Sequence, residues 1–143
     1  MTDRDLFTSR VIDAAREQVF AAFADPVRLA RWWGPVGFTS TFQEFDLRPD
    51  GRWRFVMHGP NGGDYQNESV FREVVRPERV VLDHVSAPRF TMTISLGEEA
   101  GRTRVGWHQR FPTAAECDKV RGFALAANEQ NLDRLAAEVA RPA

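Results

Sequence analysis

Residues 113–140 read TAAECDKVRGFALAANEQNLDRLAAEVA, and this stretch decides the fold. Thr113 followed three residues later by Glu116 has capping-box spacing, in which the hydroxyl accepts from the third amide and the carboxylate reaches back. A long helix therefore starts at Thr113 and runs almost to Ala140. Its apolar positions Val120, Phe123, Ala124, Ala127, Leu132, Leu135 and Val139 follow helical spacing and make one face. An apolar face of that length needs an apolar surface to cover it.

The cover lies upstream. From Phe38 the texture changes to six runs with β-type alternation: Phe38 to Leu47, Arg52 to His58, Tyr65 to Val75, Val80 to Ser86, Phe90 to Leu96 and Thr103 to Phe111. The segments between them, Pro49-Asp50-Gly51, Gly59 to Gly63, Arg76-Pro77-Glu78, Ala87-Pro88 and Gly97 to Gly101, carry the Gly and Pro that turns require. Short connections make neighbouring strands antiparallel. Because successive side chains point to opposite faces, Trp53, Phe55 and Met57 share one side, as do Phe90, Met92, Ile94 and Leu96. Arg52, Arg54, Thr91, Thr93 and Ser95 take the other. In the last run Val105, Trp107 and Phe111 point together against Arg104, His108 and Arg110, which leaves Gln109 on the apolar side.

Ahead of the meander, Leu6 to Ile12 reads as a strand. Asp13 then offers an N-cap to a helix carrying Val19, Phe20 and Phe23, which ends near Ala24. Asp25-Pro26 caps a second short helix with Val27, Leu29 and Trp32, and Gly34-Pro35 stops it. No repeat or linker divides residues 1–143, so the expected architecture is one α+β domain ordered β-α-α-β(6)-α.

Composition narrows the function classes. With 143 residues, 43% hydrophobic and 27% charged, the chain can bury a core without disulfides or metals. Nineteen basic against twenty acidic residues give a net charge of -1, so no global field draws it to nucleic acid or to an anionic membrane. Cys117 is the single cysteine and no Cys/His cluster has zinc-site spacing; no metal or cofactor is expected, and a reducing cytoplasm fits. Near the start of its helix the dipole would lower the Cys117 pKa, against which stands a plain packing role. The charged N-terminus leads into no apolar stretch of signal-peptide or membrane-span length. Eleven Phe and four Trp beside one Tyr make a large apolar ring content for so small a chain.

Several segments carry a family resemblance. Asp25-Pro26, the run Trp32-Trp33-Gly34-Pro35-Val36-Gly37-Phe38-Thr39 and the run from Asp46 to Arg54 resemble the family named for the activator of the ninety-kilodalton heat-shock protein's ATPase. Met57-His58-Gly59-Pro60, Pro77 to Val81, Phe90 to Thr93 and Leu132-Asp133-Arg134-Leu135 continue the likeness in order. The resemblance places the chain in the START-like, birch-pollen-allergen-like superfamily. It implies a helix-grip fold, a curved antiparallel sheet wrapped around the C-terminal helix with a cavity between them. Ser69 and Ala127-Asn128 stand where many relatives have glycine, which implies a narrower cavity with an amide projecting into it.

The candidate cavity residues are Trp32, Trp33, Phe38, Trp53, Phe55, Met57, Tyr65, Asn67, Ser69, Phe71, His84, Met92, Trp107, Gln109, Phe123, Ala127 and Asn128. Aromatic walls with a few convergent polar groups are how small-molecule sites are built. The leading expectation is a hydrophobic small-molecule binder. A chaperone-associated module is the alternative the resemblance implies, and a polyketide-cyclase-like enzyme is a third. Catalysis would need His84 or Gln109 beside a carboxylate, Asp83 or Glu129, but no catalytic motif is present and a non-enzymatic role is favoured. His108 is expected to be solvated and His58 to serve its turn, while parity leaves the direction of His84 open. An exposed member of the Trp32-Trp33 pair would suit a partner or a second copy of the chain.

Overall fold

The computed structural model describes residues 2–142. Among these the elements are β1 (Asp5–Ile12), α1 (Arg16–Ala24), α2 (Pro26–Trp32), β2 (Thr39–Phe45), β3 (Arg52–His58), β4 (Asp64–Val75), β5 (Arg79–His84), β6 (Phe90–Glu99), β7 (Arg102–Arg110) and α3 (Ala114–Val139). The strands form one sheet in the order β1-β7-β6-β5-β4-β3-β2. The meander thus runs in sequence, and β1 returns to pair antiparallel with β7. Register shifts at Phe42/Glu44 and Phe71/Glu73 add an unpaired residue to β2 and β4, and such bulges bend and twist the strands around what lies on their inner face. The result is the curved sheet and long helix of a helix-grip fold.

Local chemistry accounts for most element ends. Asp25 accepts a hydrogen bond from the Val27 amide at 2.9 Å, with Pro26 at the first helical position. Thr113 Oγ1 accepts from the Glu116 amide at 3.1 Å. Only that half of the capping box forms, since the Glu116 carboxylate pairs with Lys119 at 3.2 Å instead. Asp13 is not a cap: α1 starts three residues later, with Ala15 as N-cap and the Gln18 amide oxygen accepting from the Ala15 N–H at 3.1 Å. Strand β6 runs on through Gly97, where the turn was expected to begin, and the reversal contracts to Ala100-Gly101, both at positive φ.

The inner face holds two apolar clusters. The larger gathers all four tryptophans under α1, α2 and the C-terminal half of α3, where Leu132 and Leu135 close it. Trp33 sits 4.7 Å from Trp53 and 5.4 Å from Trp107, ring centre to ring centre. At about 25 cal/mol per Å² and 150–250 Å² per ring, each buried indole contributes about 4–6 kcal/mol before ordering entropy. The smaller cluster, Leu6, Phe111, Cys117 and Ala124, lies under the N-terminal half of α3. Cys117 is fully buried there and burial raises its thiol pKa, so the packing role holds.

Polar side chains strap α2 to α3. Asn131, 6% exposed, donates to the Trp32 carbonyl at 2.8 Å and accepts from the Gly34 amide at 3.2 Å. Arg134 donates to the carbonyls of Arg31 at 2.7 Å, Gly34 at 2.9 Å and Pro35 at 3.0 Å. The Arg31 and Trp32 carbonyls are among those that the end of α2 leaves without intrahelical partners, and those of Gly34 and Pro35 belong to the loop that follows it.

Candidate functional site

Between the two clusters the apolar packing of the sheet against α3 is incomplete, and a cavity of about 510 Å³ remains. Its floor is the inner face of β3 to β7. Its roof is the α3 segment Val120 to Asn131, and the Gly34–Phe38 and Ala87-Pro88 loops form parts of its rim. Tyr65 (56% exposed) and Phe123 (67% exposed) stand where it opens to solvent.

All but three of the residues expected from the sequence line this space. Register explains it: Met57 faces Tyr65, Phe55 faces Asn67 and Trp53 faces Ser69 across β3 and β4, while Ser69 faces His84 and Met92 faces Gln109 further along. The exceptions are Trp32, Trp53 and Phe71, which belong to the filled half of the grip. Trp53 stacks on Phe71 at 6.1 Å and is met edge-on by Phe23 of α1, and Trp32 donates its indole N–H to the Ala22 carbonyl at 2.9 Å. Neither Trp32 nor Trp33 is exposed, at 1% and 9%, so the pair offers no ring to a partner surface.

The walls also include residues outside the expected set. Leu82 and Phe90 share the inward parity of His84 and Met92, and Val120 and Ala124 lie two turns and one turn before Ala127 on the apolar stripe; these signals were present in the pattern. Pro88 and Ala87 come from a loop whose path no periodicity specifies.

His84 points inward and is 8% exposed, stacked on Phe90 with ring centres 4.7 Å apart. Its Nδ1 lies 2.7 Å from the Pro88 carbonyl oxygen and its Nε2 lies 2.8 Å from Asn67 Oδ1. Two acceptors suit an imidazolium, yet burial pushes the His84 pKa down. In the neutral ring Nδ1 keeps its proton for Pro88, so Asn67 must turn its amide to donate to Nε2 and give up its 3.0 Å bond to the Tyr65 carbonyl. Opposite, Asn128 Nδ2 donates to Gln109 Oε1 at 2.8 Å, so the amide predicted to project from the helix finds the inward glutamine.

The carboxylates that catalysis would need are elsewhere. Asp83 points to the outer face, bound to Arg72 at 2.6 Å and Thr91 at 2.8 Å. Glu129 turns toward β1, accepting from Thr8 at 2.9 Å and Arg10 at 3.2 Å. His108 is not merely solvated: its Nε2 is 2.6 Å from Asp5 Oδ1, a buried carboxylate that also accepts from the Thr2 amide at 2.8 Å and hydroxyl at 2.7 Å. His58 bridges Thr41 at 2.8 Å and Asp64 at 2.7 Å beside its turn. Among the described residues no group of three or more His, Cys, Asp or Glu side chains is placed to hold a metal, and no helix is long and apolar enough to cross a membrane.

Residues 13–140 match the family described as Activator of Hsp90 ATPase homolog 1-like protein. The chain belongs to this family. Solved structures repeat its fold over nearly the whole length. A Nitrosomonas europaea protein is 20% identical with a TM-score of 0.89, covering 97% of this chain and 96% of its own. One from Chromobacterium violaceum is 26% identical, TM-score 0.85, covering 96% and 99%. A Silicibacter pomeroyi protein named for the same family is 24% identical, TM-score 0.74, covering 95% and 97%. No curated protein matches the chain. Within this Hsp90-activator-like family, the three positions singled out for their added atoms, Ser69, Ala127 and Asn128, all line the cavity, which keeps its 510 Å³ around them.

Proposed function

We propose that this protein binds hydrophobic small molecules in the cavity between its sheet and α3. The observation that carries the reading is the space itself: about 510 Å³ sits inside the range of small-molecule sites, and its walls are rings and aliphatic groups with a few placed amides. Family membership is in keeping with it. The cyclase reading lacks a carboxylate beside His84, and the chaperone reading rests on the family name alone.

Trp33 and Trp107 line the cavity, so an occupant alters intrinsic fluorescence. Screening apolar compounds by tryptophan emission and thermal shift tests the proposal. A ligand at a hundred times its Kd adds about 2.7 kcal/mol, a rise in Tm of roughly 8–10 °C for a chain of this length. The same ligand should fail against Ala127→Phe, which places a ring in the space. If no compound moves either signal, or if hits bind Ala127→Phe equally well, the cavity is not a ligand site.

A further inference from the structure

We infer that the cavity's ligand is uncharged and ends in a group that both donates and accepts a hydrogen bond, a hydroxyl or a lactam edge, seated between Gln109 and Asn128. This rests on the reading of the cavity as a ligand site and deepens it.

Charge comes first. Among the described residues, no Asp, Glu, Lys or Arg side chain lines the cavity, and burial favours the neutral form of its single histidine, His84. A carboxylate, phosphate or ammonium would shed its water with no counter-charge to replace it, which is costly enough to exclude such ligands.

The polar end follows from counting donors and acceptors. The bond from Asn128 to Gln109 uses one amide N–H and one carbonyl oxygen. Gln109 Nε2 and Asn128 Oδ1 are left without protein partners, and neither is among the unpartnered polar atoms sealed from solvent. Gln109 is 7% exposed, so its free amino group faces the cavity rather than bulk water. Exchanging nitrogen and oxygen in both amides reverses the bond but leaves the same remainder, one NH2 and one oxygen. A ketone or ether satisfies only the NH2. A hydroxyl or a lactam N–H/C=O edge satisfies both, and a buried polar group left unpaired counts against whatever ligand leaves it so.

Calorimetric titration at neutral pH with four tricyclic probes tests this: phenanthrene, 9-methoxyphenanthrene, 9-phenanthrol and phenanthrene-9-carboxylate. Phenanthrol should bind about tenfold tighter than the methoxy compound, from one to two added hydrogen bonds, and the carboxylate should give no measurable heat. In the double variant Gln109→Met/Asn128→Leu both partners become apolar together, so neither is stranded. Phenanthrene should still bind there, with the phenanthrol preference reduced to within about twofold, and circular dichroism confirms folding. Phenanthrene binding without a hydroxyl preference, a preference that survives in the double variant, or carboxylate binding as tight as phenanthrol overturns this inference alone. Failure of all four probes defeats the cavity as a ligand site and this inference with it.

Discussion

Replacing Asn131 by leucine removes the centre of the strap between α2 and α3 while keeping the number and branching of the side-chain heavy atoms. Both hydrogen bonds made by this side chain are buried. Leucine can neither accept from the Gly34 amide nor donate to the Trp32 carbonyl, so both buried groups lose the partner that the side-chain amide gave them. Each buried backbone group left unpaired costs about 1–3 kcal/mol, so the two together cost about 2–6 kcal/mol. At roughly 3–4 °C per kcal/mol for this length, Tm should fall by about 6–24 °C. Urea unfolding monitored by circular dichroism gives the free energy directly, with an unchanged slope if the denatured state is unaffected. Asn131→Asp keeps the acceptor for Gly34 but turns the donor toward Trp32 into a second, charged acceptor, and should be no milder. A loss under about 1 kcal/mol for Asn131→Leu would refute the strap as the anchor of the Trp33–Pro35 segment.

Gly51→Ala should destabilise by at least about 2 kcal/mol, because a Cβ there collides with the backbone carbonyl of Asp46, which no rotamer change can move; chemical denaturation reads it. Hydrogen bonds from the Thr2 hydroxyl and amide, opposed by burial and joined by His108, hold the Asp5 carboxyl far below the usual range. A depressed carboxylate pKa stabilises fully above the unfolded value, near 3.8, and the benefit is lost as pH falls below it. Asp5→Asn should therefore be less stable than the parent at pH 6, with the difference shrinking toward pH 3 in thermal melts. Burial lowers the His84 pKa from its ordinary 6.5, so the folded state resists a proton that the unfolded chain takes up. Stability should be complete above pH 6.5 and decline as pH falls through the folded value, a slope that His84→Gln abolishes; a His84 imidazole titrating above 6.5 by NMR would contradict this.

Much of the fold was legible because its signals are local. The Arg52–His58 strand, the Asp25-Pro26 cap and the Thr113 start each depend on a few adjacent residues, and the structure reproduces them. Strand parity likewise brought Asn67, Ser69 and Gln109 to one wall. What parity cannot convey is depth. Trp53 and Phe55 alternate onto the same face, yet α1 lies over Trp53 while Phe55 reaches the cavity, and which inward ring is covered depends on where two short helices dock. The Asp5–His108 pair was hidden for a related reason, since its members are 103 residues apart and meet only when β1 pairs with β7. Asn131 occupies a buried position of the helical stripe but carries an amide, and its partners are backbone groups, which a side-chain pattern does not reveal.

The unfilled space is a consequence of how the apolar residues are divided. Leu132 and Leu135 pack α3 against the tryptophan cluster at one end, and Cys117 and Ala124 pack it against Leu6 and Phe111 at the other. Between these anchors, one turn from Ala124, the helix presents Ala127, whose methyl is too short to fill the space above Phe55, Met92 and Trp107, and Asn128, which spans to Gln109 by a single hydrogen bond. Collapse would require α3 to approach the sheet there, but Arg10 holds its middle to β1 through Glu129 at 3.2 Å and Asp133 at 2.6 Å. Asn131 and Arg134 hold the next turn to the end of α2. The contacts that stabilise the grip and the residues that face its contents are therefore largely separate sets. Substitutions at Gln109, Ala127 and Asn128 should change what is bound far more than whether the chain folds, whereas those at Leu132 and Leu135 should do the reverse.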